Sequence, residues 1–245
     1  MHNEDVVRQI RRAGVKKIQK LTPHKNCILL IRAHGAARDT IIRAKALGYR
    51  IVDATCPMVK EIHKIAQDME NKGYQIIIIG DKLHDEVHGI AGQLSRKATV
   101  VSPTHKIPLD KLRGMKHAAV VVQSTQNPEK IMPIIEVLKK QIPDLKFFNT
   151  ICKPTQTKQE ELKRLPLEND VVIVIGSKAS ANTKRLYEIT RSLNKRSYWV
   201  SSPKEIREGW LKNAASIAVT AGASTPDYTI RQTIHHLSRI LSGNL

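Results

Sequence analysis

Cysteine and aromatic residues are scarce in this chain, and long apolar runs are missing. Three of its 245 residues are cysteine. An odd number of widely spaced thiols gives no disulfide framework, and a reducing cytoplasm is the setting they suit. Aromatics make up 4%, too few for the stacking platform on which single-stranded nucleic acid is bound. No stretch approaches the ~18 consecutive apolar residues of a membrane-spanning helix. The opening MHNEDVVRQIRRAG mixes both charge signs without an apolar core, unlike a secretory signal. No G-x-G-x-x-G follows a strand-like run and no Walker sequence occurs, which removes the usual basis for a nucleotide-dependent dehydrogenase. Acidic residues are the minority sign, 22 Asp and Glu against 41 Lys and Arg, for a net charge of +19. The basic residues are scattered rather than blocked, the pattern of a solvated surface. A polyanionic partner is the functional alternative: a phosphorylated substrate is compatible with it, and a nucleic acid is not expected.

What is present is a series of short apolar runs bounded by Gly, Pro, Ser or Thr. They lie at 27–35, 49–57, 74–81, 98–103, 118–125, 146–152, 171–180 and 216–224. Continuous rather than alternating apolar character is what a parallel strand buried on both faces requires. Amphipathic stretches at 58–72, 128–141, 180–193 and 226–241 read as helices between them, and such alternation gives parallel sheets covered by helices. Two strand ends resemble each other: Asp53-Ala54-Thr55-Cys56-Pro57 and Asn149-Thr150-Ile151-Cys152-Lys153-Pro154 both place a cysteine just before a proline and a helix. An internal repeat follows, with α/β lobes at 57–152 and 153–245 and a remnant of a first lobe at 1–56. Counting one repeat back from Cys56 puts a matching cysteine about 40 residues before Met1.

Ligands of open parallel sheets bind beyond the carboxyl ends of the strands. The polar residues at those ends are Arg32 and His34, Thr55 and Cys56, His84 and Glu86, and Gln123, Ser124 and Thr125. Cys152, Thr155, Ser177, Ser180, Asn182 and Ser224 continue the set. Histidines, hydroxyls, an amide, one acid and two thiols suit an anion bound beside a soft metal centre. Cys56 and Cys152 precede helices, where a thiolate is stabilised by the helix dipole. Cys27 opens an apolar strand and reads as a small buried hydrophobe. His63, His88, His105, His117, His235 and His236 read as ordinary surface or core histidines. The GSKASAN stretch at 176–182 has the hydroxyls and backbone donors of a phosphate-holding turn, although Ser and Asn also serve simply as helix caps.

Taken in order, HN at 2–3, RAHG at 32–35, DATCP at 53–57, HDEVHG at 84–89, QST at 123–125, NTIC at 149–152, GSKASAN at 176–182 and TAGAS at 220–224 resemble the LytB/IspH family of hydroxymethylbutenyl diphosphate reductases. The likeness runs over essentially the whole chain. It implies a pseudo-threefold arrangement of small parallel-sheet α/β lobes around a central cavity, the first lobe incomplete here. It implies reductive dehydroxylation of an allylic diphosphate at a [4Fe-4S] cluster held by three cysteines, with ferredoxin or flavodoxin as electron donor. The products would be isopentenyl and dimethylallyl diphosphate. By motif, Cys56 and Cys152 would be cluster ligands, and Glu86, with Ser124 and Thr125, would relay protons to the leaving hydroxyl. His2, His34, His84, Ser180, Asn182 and Ser224 would hold the diphosphate.

One departure from the family pattern matters. The family's first cluster cysteine lies in a glycine-rich turn near the start of the chain, and no such turn occurs here. Cys27 does not substitute, because it sits at the opening of its strand, on the order of 20 Å from the carboxyl end at about 3.3 Å per residue. Met1 falls where relatives carry an apolar strand residue, so the sequence is expected to be an N-terminally truncated enzyme. With two of three thiolates, the exact chain is expected to hold a cluster poorly and to lack turnover, and to leave apolar surface at 28–33 and 51–56 uncovered. Ala181, where relatives often carry serine, removes one further donor. A catalytically inactive homologue that still binds diphosphates is the alternative.

Overall fold

The structure, a computed structural model, describes residues 4–23 and 27–242. In chain order the elements are α1 (Glu4–Arg12), β1 (Ile28–Ile31), α2 (Arg38–Ala46), β2 (Arg50–Asp53), α3 (Pro57–Asn71), β3 (Gln75–Ile79), α4 (Asp85–Ala91), β4 (Thr99–Val101), α5 (Leu109–Leu112), β5 (His117–Val122), α6 (Pro128–Gln141), β6 (Asp144–Phe147), α7 (Lys153–Glu168), β7 (Val171–Ile175), α8 (Ala181–Leu193), β8 (Ser197–Val200), β9 (Ile217–Ala221) and α9 (Asp227–Ser242). All the pairings among these strands are parallel. This is the α/β class that the continuous apolar runs predict, since a strand covered by helices on both faces has no solvent side to keep polar.

The chain divides into two compact units, Lys17–Lys153 and Met1–Lys16 with Pro154–Leu245. The first holds the β1-β2 pair and a four-stranded sheet of order β4-β3-β5-β6. Its central strands, QIIII and HAAVVV, are buried from Ile76 to Ile79 and from Ala118 to Val122. Ile62, Ala66 and Met69 of α3 and Val87 and Ile90 of α4 pack with Ile76 and Ile78 on one face. Ile131, Ile135 and Leu138 of α6 pack with Ile77, Ile79, Val120 and Val122 on the other. Fully burying one such isoleucine contributes about 1.5–3 kcal/mol.

The second unit has its own sheet, β8-β7-β9. Val171, Ile173 and Ile175 pack with Leu237 of α9 on one face, and Val172 and Val174 with Leu162 of α7 and Leu186 of α8 on the other. The helices expected at 58–72, 128–141, 180–193 and 226–241 are α3, α6, α8 and α9. Strand β8, SYWV, is absent from the sequence reading. As an edge strand beside β7 it is covered less than a central one, so Tyr198 and Trp199 are half-buried and no apolar run marks it.

Register decides which strand ends meet. Ile31 pairs with Asp53, Ile79 with Val122, and Ile175 with Ala221. The residues that follow therefore leave each sheet side by side: His34 near Cys56, Asp81 near Gln123, and Gly176 near Gly222.

Candidate functional site

The thiol side of the Lys17–Lys153 unit is organised by Asp53 at the end of β2. Its Oδ1 accepts from the backbone N (2.9 Å) and the hydroxyl of Thr55, and its Oδ2 pairs with Lys60 Nζ at 2.7 Å. Burial pushes this carboxyl up, but the Lys60 and Thr55 hydrogen bonds outweigh it and bring it down to about 2. The turn so fixed delivers Cys56 to the N-cap of α3, with Pro57 at the first helical position. Cys56 N donates to Ala33 O at 3.0 Å, which ties the cysteine to the turn carrying His34. Gly35 closes that turn at φ +77°, and a Cβ there would lie 2.8 Å from Cε1 of His63. His63 thus packs beneath the turn; burial pushes its imidazole below the usual value, against an opposing pull from Asp53.

The His34 and His84 rings meet edge to face, centroids 5.3 Å apart. His84 caps α4: its Nδ1 accepts from Glu86 N at 3.2 Å. An accepting Nδ1 puts the proton of a neutral imidazole on Nε2, which is then the donor nitrogen. Beside them Arg32 pairs with Asp85 at 2.6 Å. Glu86 is 2% exposed, and its carboxylate accepts from Ser124 N (2.6 Å) and Ser124 Oγ (2.8 Å). Burial raises this carboxyl above the ordinary range, and the two Ser124 hydrogen bonds offset only part of that. A protonated, buried carboxyl is what a general acid needs.

Ser124 also reaches the second thiol, since its carbonyl accepts from Cys152 N at 2.9 Å. Thr150 clamps the same segment: its Oγ1 accepts from Val122 N at 2.7 Å and donates to Val122 O at 2.6 Å. A continuous run of contacts therefore leads from Cys56 through Ala33, His34, His84, Glu86 and Ser124 to Cys152, all inside one unit. Cys27 stands apart from it at the amino end of β1, where its carbonyl accepts from Arg50 N. None of the three cysteines is in a disulfide. Among the described residues no group of three or more His, Cys, Asp or Glu is disposed to hold a metal ion.

In the other unit Ser180 is the N-cap of α8, its Oγ accepting from Thr183 N at 3.2 Å. Ser180 is buried, Asn182 half-buried, and Ser224 exposed on the loop after β9. Lys178, inside the same turn, is drawn aside: its Nζ donates to Trp199 O, lies 3.7 Å from Glu205 and sits 4.7 Å over the Trp199 ring. His2 lies outside the described residues.

Of the sequence-predicted residues, His34, Cys56, His84, Glu86, Ser124 and Cys152 fall on the run of contacts just traced, and Thr125 flanks it. In the other unit Ser180 and Asn182 stand at the start of α8, and Ser224 on the loop after β9. Two supporting residues received no role from the sequence. Gln123 Oε1 accepts from Asp81 N and from Gln126 Nε2, both at 2.9 Å, and its Nε2 donates to Thr125 Oγ1 at 3.1 Å. It ties the β3 and β5 turns together, and its place within QST was the available signal. Thr150 is the other, legible only as part of NTIC.

The family model that describes the LytB protein matches residues 1–238. A 4-hydroxy-3-methylbut-2-enyl diphosphate reductase of Aquifex aeolicus is 33% identical over 250 aligned positions, which cover 100% of this chain and 85% of that protein. The Campylobacter jejuni reductase of the same name is 36% identical over 236 positions, 95% of this chain and 84% of the relative. Among solved structures, one of (E)-4-hydroxy-3-methyl-but-2-enyl diphosphate reductase, described as the terminal enzyme of the non-mevalonate pathway, superposes with a TM-score of 0.73 at 32% identity. It covers 98% of this chain and 85% of that one. The reductase from Plasmodium falciparum gives 0.84 at 28% identity, over 97% and 76%.

Proposed function

The chain belongs to the LytB family, and from that premise we propose that it is built for the reductive dehydroxylation of 4-hydroxy-3-methylbut-2-enyl diphosphate to isopentenyl and dimethylallyl diphosphate. The overall change consumes two electrons and two protons, breaks the allylic C–O bond and releases water. The observation that carries this reading is the run of contacts joining two thiols to one buried carboxyl whose protonated form is favoured.

Donor chemistry bears on the implied iron–sulfur cluster. Cys56 and Cys152 each stand at a strand-to-helix junction, and both suit a soft metal centre. These two residues would hold the cluster, which when bound supplies electrons and a Lewis acid. Two thiols are one short of the three the family resemblance implies. The reading includes three lobes, 1–56, 57–152 and 153–245, to which the three sheets lend support, and ferredoxin or flavodoxin as electron donor.

The remaining work falls to side chains. Glu86, whose burial favours the protonated form more than in water, gives a proton to the departing hydroxyl, which is a poor leaving group as hydroxide. Ser124 holds Glu86 through both carboxylate oxygens, and Thr125, fixed by Gln123, borders the same relay. His34, His84 through Nε2–H, Ser180, Asn182 and Ser224, together with His2, bind the diphosphate; hydrogen bonds to an anion are roughly twice as strong as neutral ones.

The test pairs the 245-residue polypeptide with the same polypeptide bearing an added amino-terminal segment that supplies a third thiol. Both are reconstituted anaerobically with iron and sulfide and assayed with a chemical reductant. Product is expected from the extended form, with little 400 nm absorbance and no turnover from the other. Full absorbance and turnover without the third thiol would refute the ligand count, and no product from either would refute the reductase reading. The second reading is an inactive homologue that binds diphosphates. Calorimetry with a diphosphate ligand and no cluster, showing binding while the extended form stays inactive, would select it.

A further inference from the structure

Three buried threonine hydroxyls in the second unit, those of Thr183, Thr220 and Thr229, have no hydrogen-bond partner among the described residues, and that of Thr183 sits on the seam between two turns. Thr183 is 0% exposed, and its Oγ1 is unpaired. Burying a hydroxyl without a partner is costly, and valine, of nearly the same shape, would avoid that cost. The surroundings of this hydroxyl indicate why threonine is suited to the position. A Cβ built on Gly222 would lie 2.1 Å from Thr183 Oγ1, and one built on Gly176 would lie 2.5 Å away. The hydroxyl therefore fills the space that any other residue at either strand end would claim.

Those two glycines follow Ala221 and Ile175, which are paired in the sheet. Gly176 opens the turn that carries Ser177 and Ser180, and Gly222 opens the one that carries Ser224. Helix α8 starts between them, runs for 13 residues and has no acidic residue in its first turn, so its positive end is not neutralised by its own side chains. Ser180 Oγ already accepts from Thr183 N, which leaves the Ser180 proton to donate elsewhere. Lys178 is engaged with Trp199 and Glu205, so hydroxyls and backbone N–H groups are the donors nearest the seam.

We propose that Thr183 is an anion-binding residue of the diphosphate cradle, its hydroxyl donating at the Gly176–Gly222 seam to a phosphate oxygen that Ser180 and Asn182 also hold. The inference rests on the reading of this turn as a diphosphate site. It gives a use to a hydroxyl whose burial without a partner is costly in the ligand-free fold.

The experiment is calorimetry of inorganic diphosphate with the full chain, alongside thermal melting, for wild type, Thr183→Val, Thr183→Ser and Ser180→Ala. Thr183→Val is expected to melt at or above the wild-type temperature yet to bind diphosphate on the order of ten- to a hundredfold more weakly. Thr183→Ser is expected to retain binding. Should the valine variant not fold, Thr183→Ala against Thr183→Ser isolates the hydroxyl in the same way. A valine variant that binds like wild type, or one that loses melting temperature and affinity together, overturns the proposal. If Ser180→Ala weakens binding while Thr183→Val does not, this inference alone falls. If wild type binds no diphosphate, the reading of the turn falls and this inference with it.

Discussion

At the scale of single residues, two carboxyls of one unit are displaced in opposite directions, and each has a consequence in pH. Glu86 is raised from 4.5 by burial. Its contribution to stability is therefore complete below the ordinary carboxylate range and is lost as pH rises through the folded value. Glu86→Gln, which mimics the protonated form, should gain stability relative to wild type as pH rises through that value; a constant difference in urea midpoint would contradict the assignment. On the proposed function the same substitution should lower turnover by about 10²–10⁴-fold, read as product formed per cluster in the thiol-supplied form. Asp53 goes the other way, from 3.8 to about 2. Its contribution is present above about pH 4 and is lost as pH falls toward 2, and Asp53→Asn should remove that part of the acid-unfolding slope. An unchanged slope would place the acid sensitivity elsewhere.

Elements decide how those residues are aimed. Segment 149–152 is bound to the end of β5 by the paired Thr150–Val122 hydrogen bonds and by Cys152 N on Ser124 O. Thr150→Val keeps the shape but strands buried backbone groups, and should cost about 1–3 kcal/mol in denaturant titration; a cost near zero would mean the clamp is dispensable. The β1-β2 pair is the least covered sheet, with Ile28, Leu30 and Val52 at 54%, 42% and 45% exposed. Replacing Leu30 and Val52 by threonine should change stability by less than about 0.5 kcal/mol and reduce binding of a hydrophobic dye. A loss of several kcal/mol would show that this face is packed. The central strands and the longer helices were legible in the sequence because their apolar pattern is long and unbroken. Strand β8 was not, since an edge position tolerates polar flanks and half-exposed aromatics.

For the whole molecule, two units with separate cores carry an excess of positive charge. Lysine and arginine scattered along the sequence raise the pI to about 10.0, and with no basic block among them duplex DNA binding at physiological ionic strength is expected to be weak, with a shallow dependence on salt. A steep slope would revive a nucleic-acid role. Among the described residues no helix is long and apolar enough to cross a membrane.

The sequence by itself determined the fold class, the family and the identity of the candidate residues, because apolar runs, strand-end polar residues and motif order are properties of the chain read locally. Tertiary structure decided what each of those residues faces. Only parallel register sets Ile79 against Val122 and so brings Ser124 under Glu86, and only burial raises that carboxyl from its ordinary value. The supporting roles of Gln123, Thr150, His63 and Thr183 came into view only there, because they depend on contacts between segments far apart in the chain.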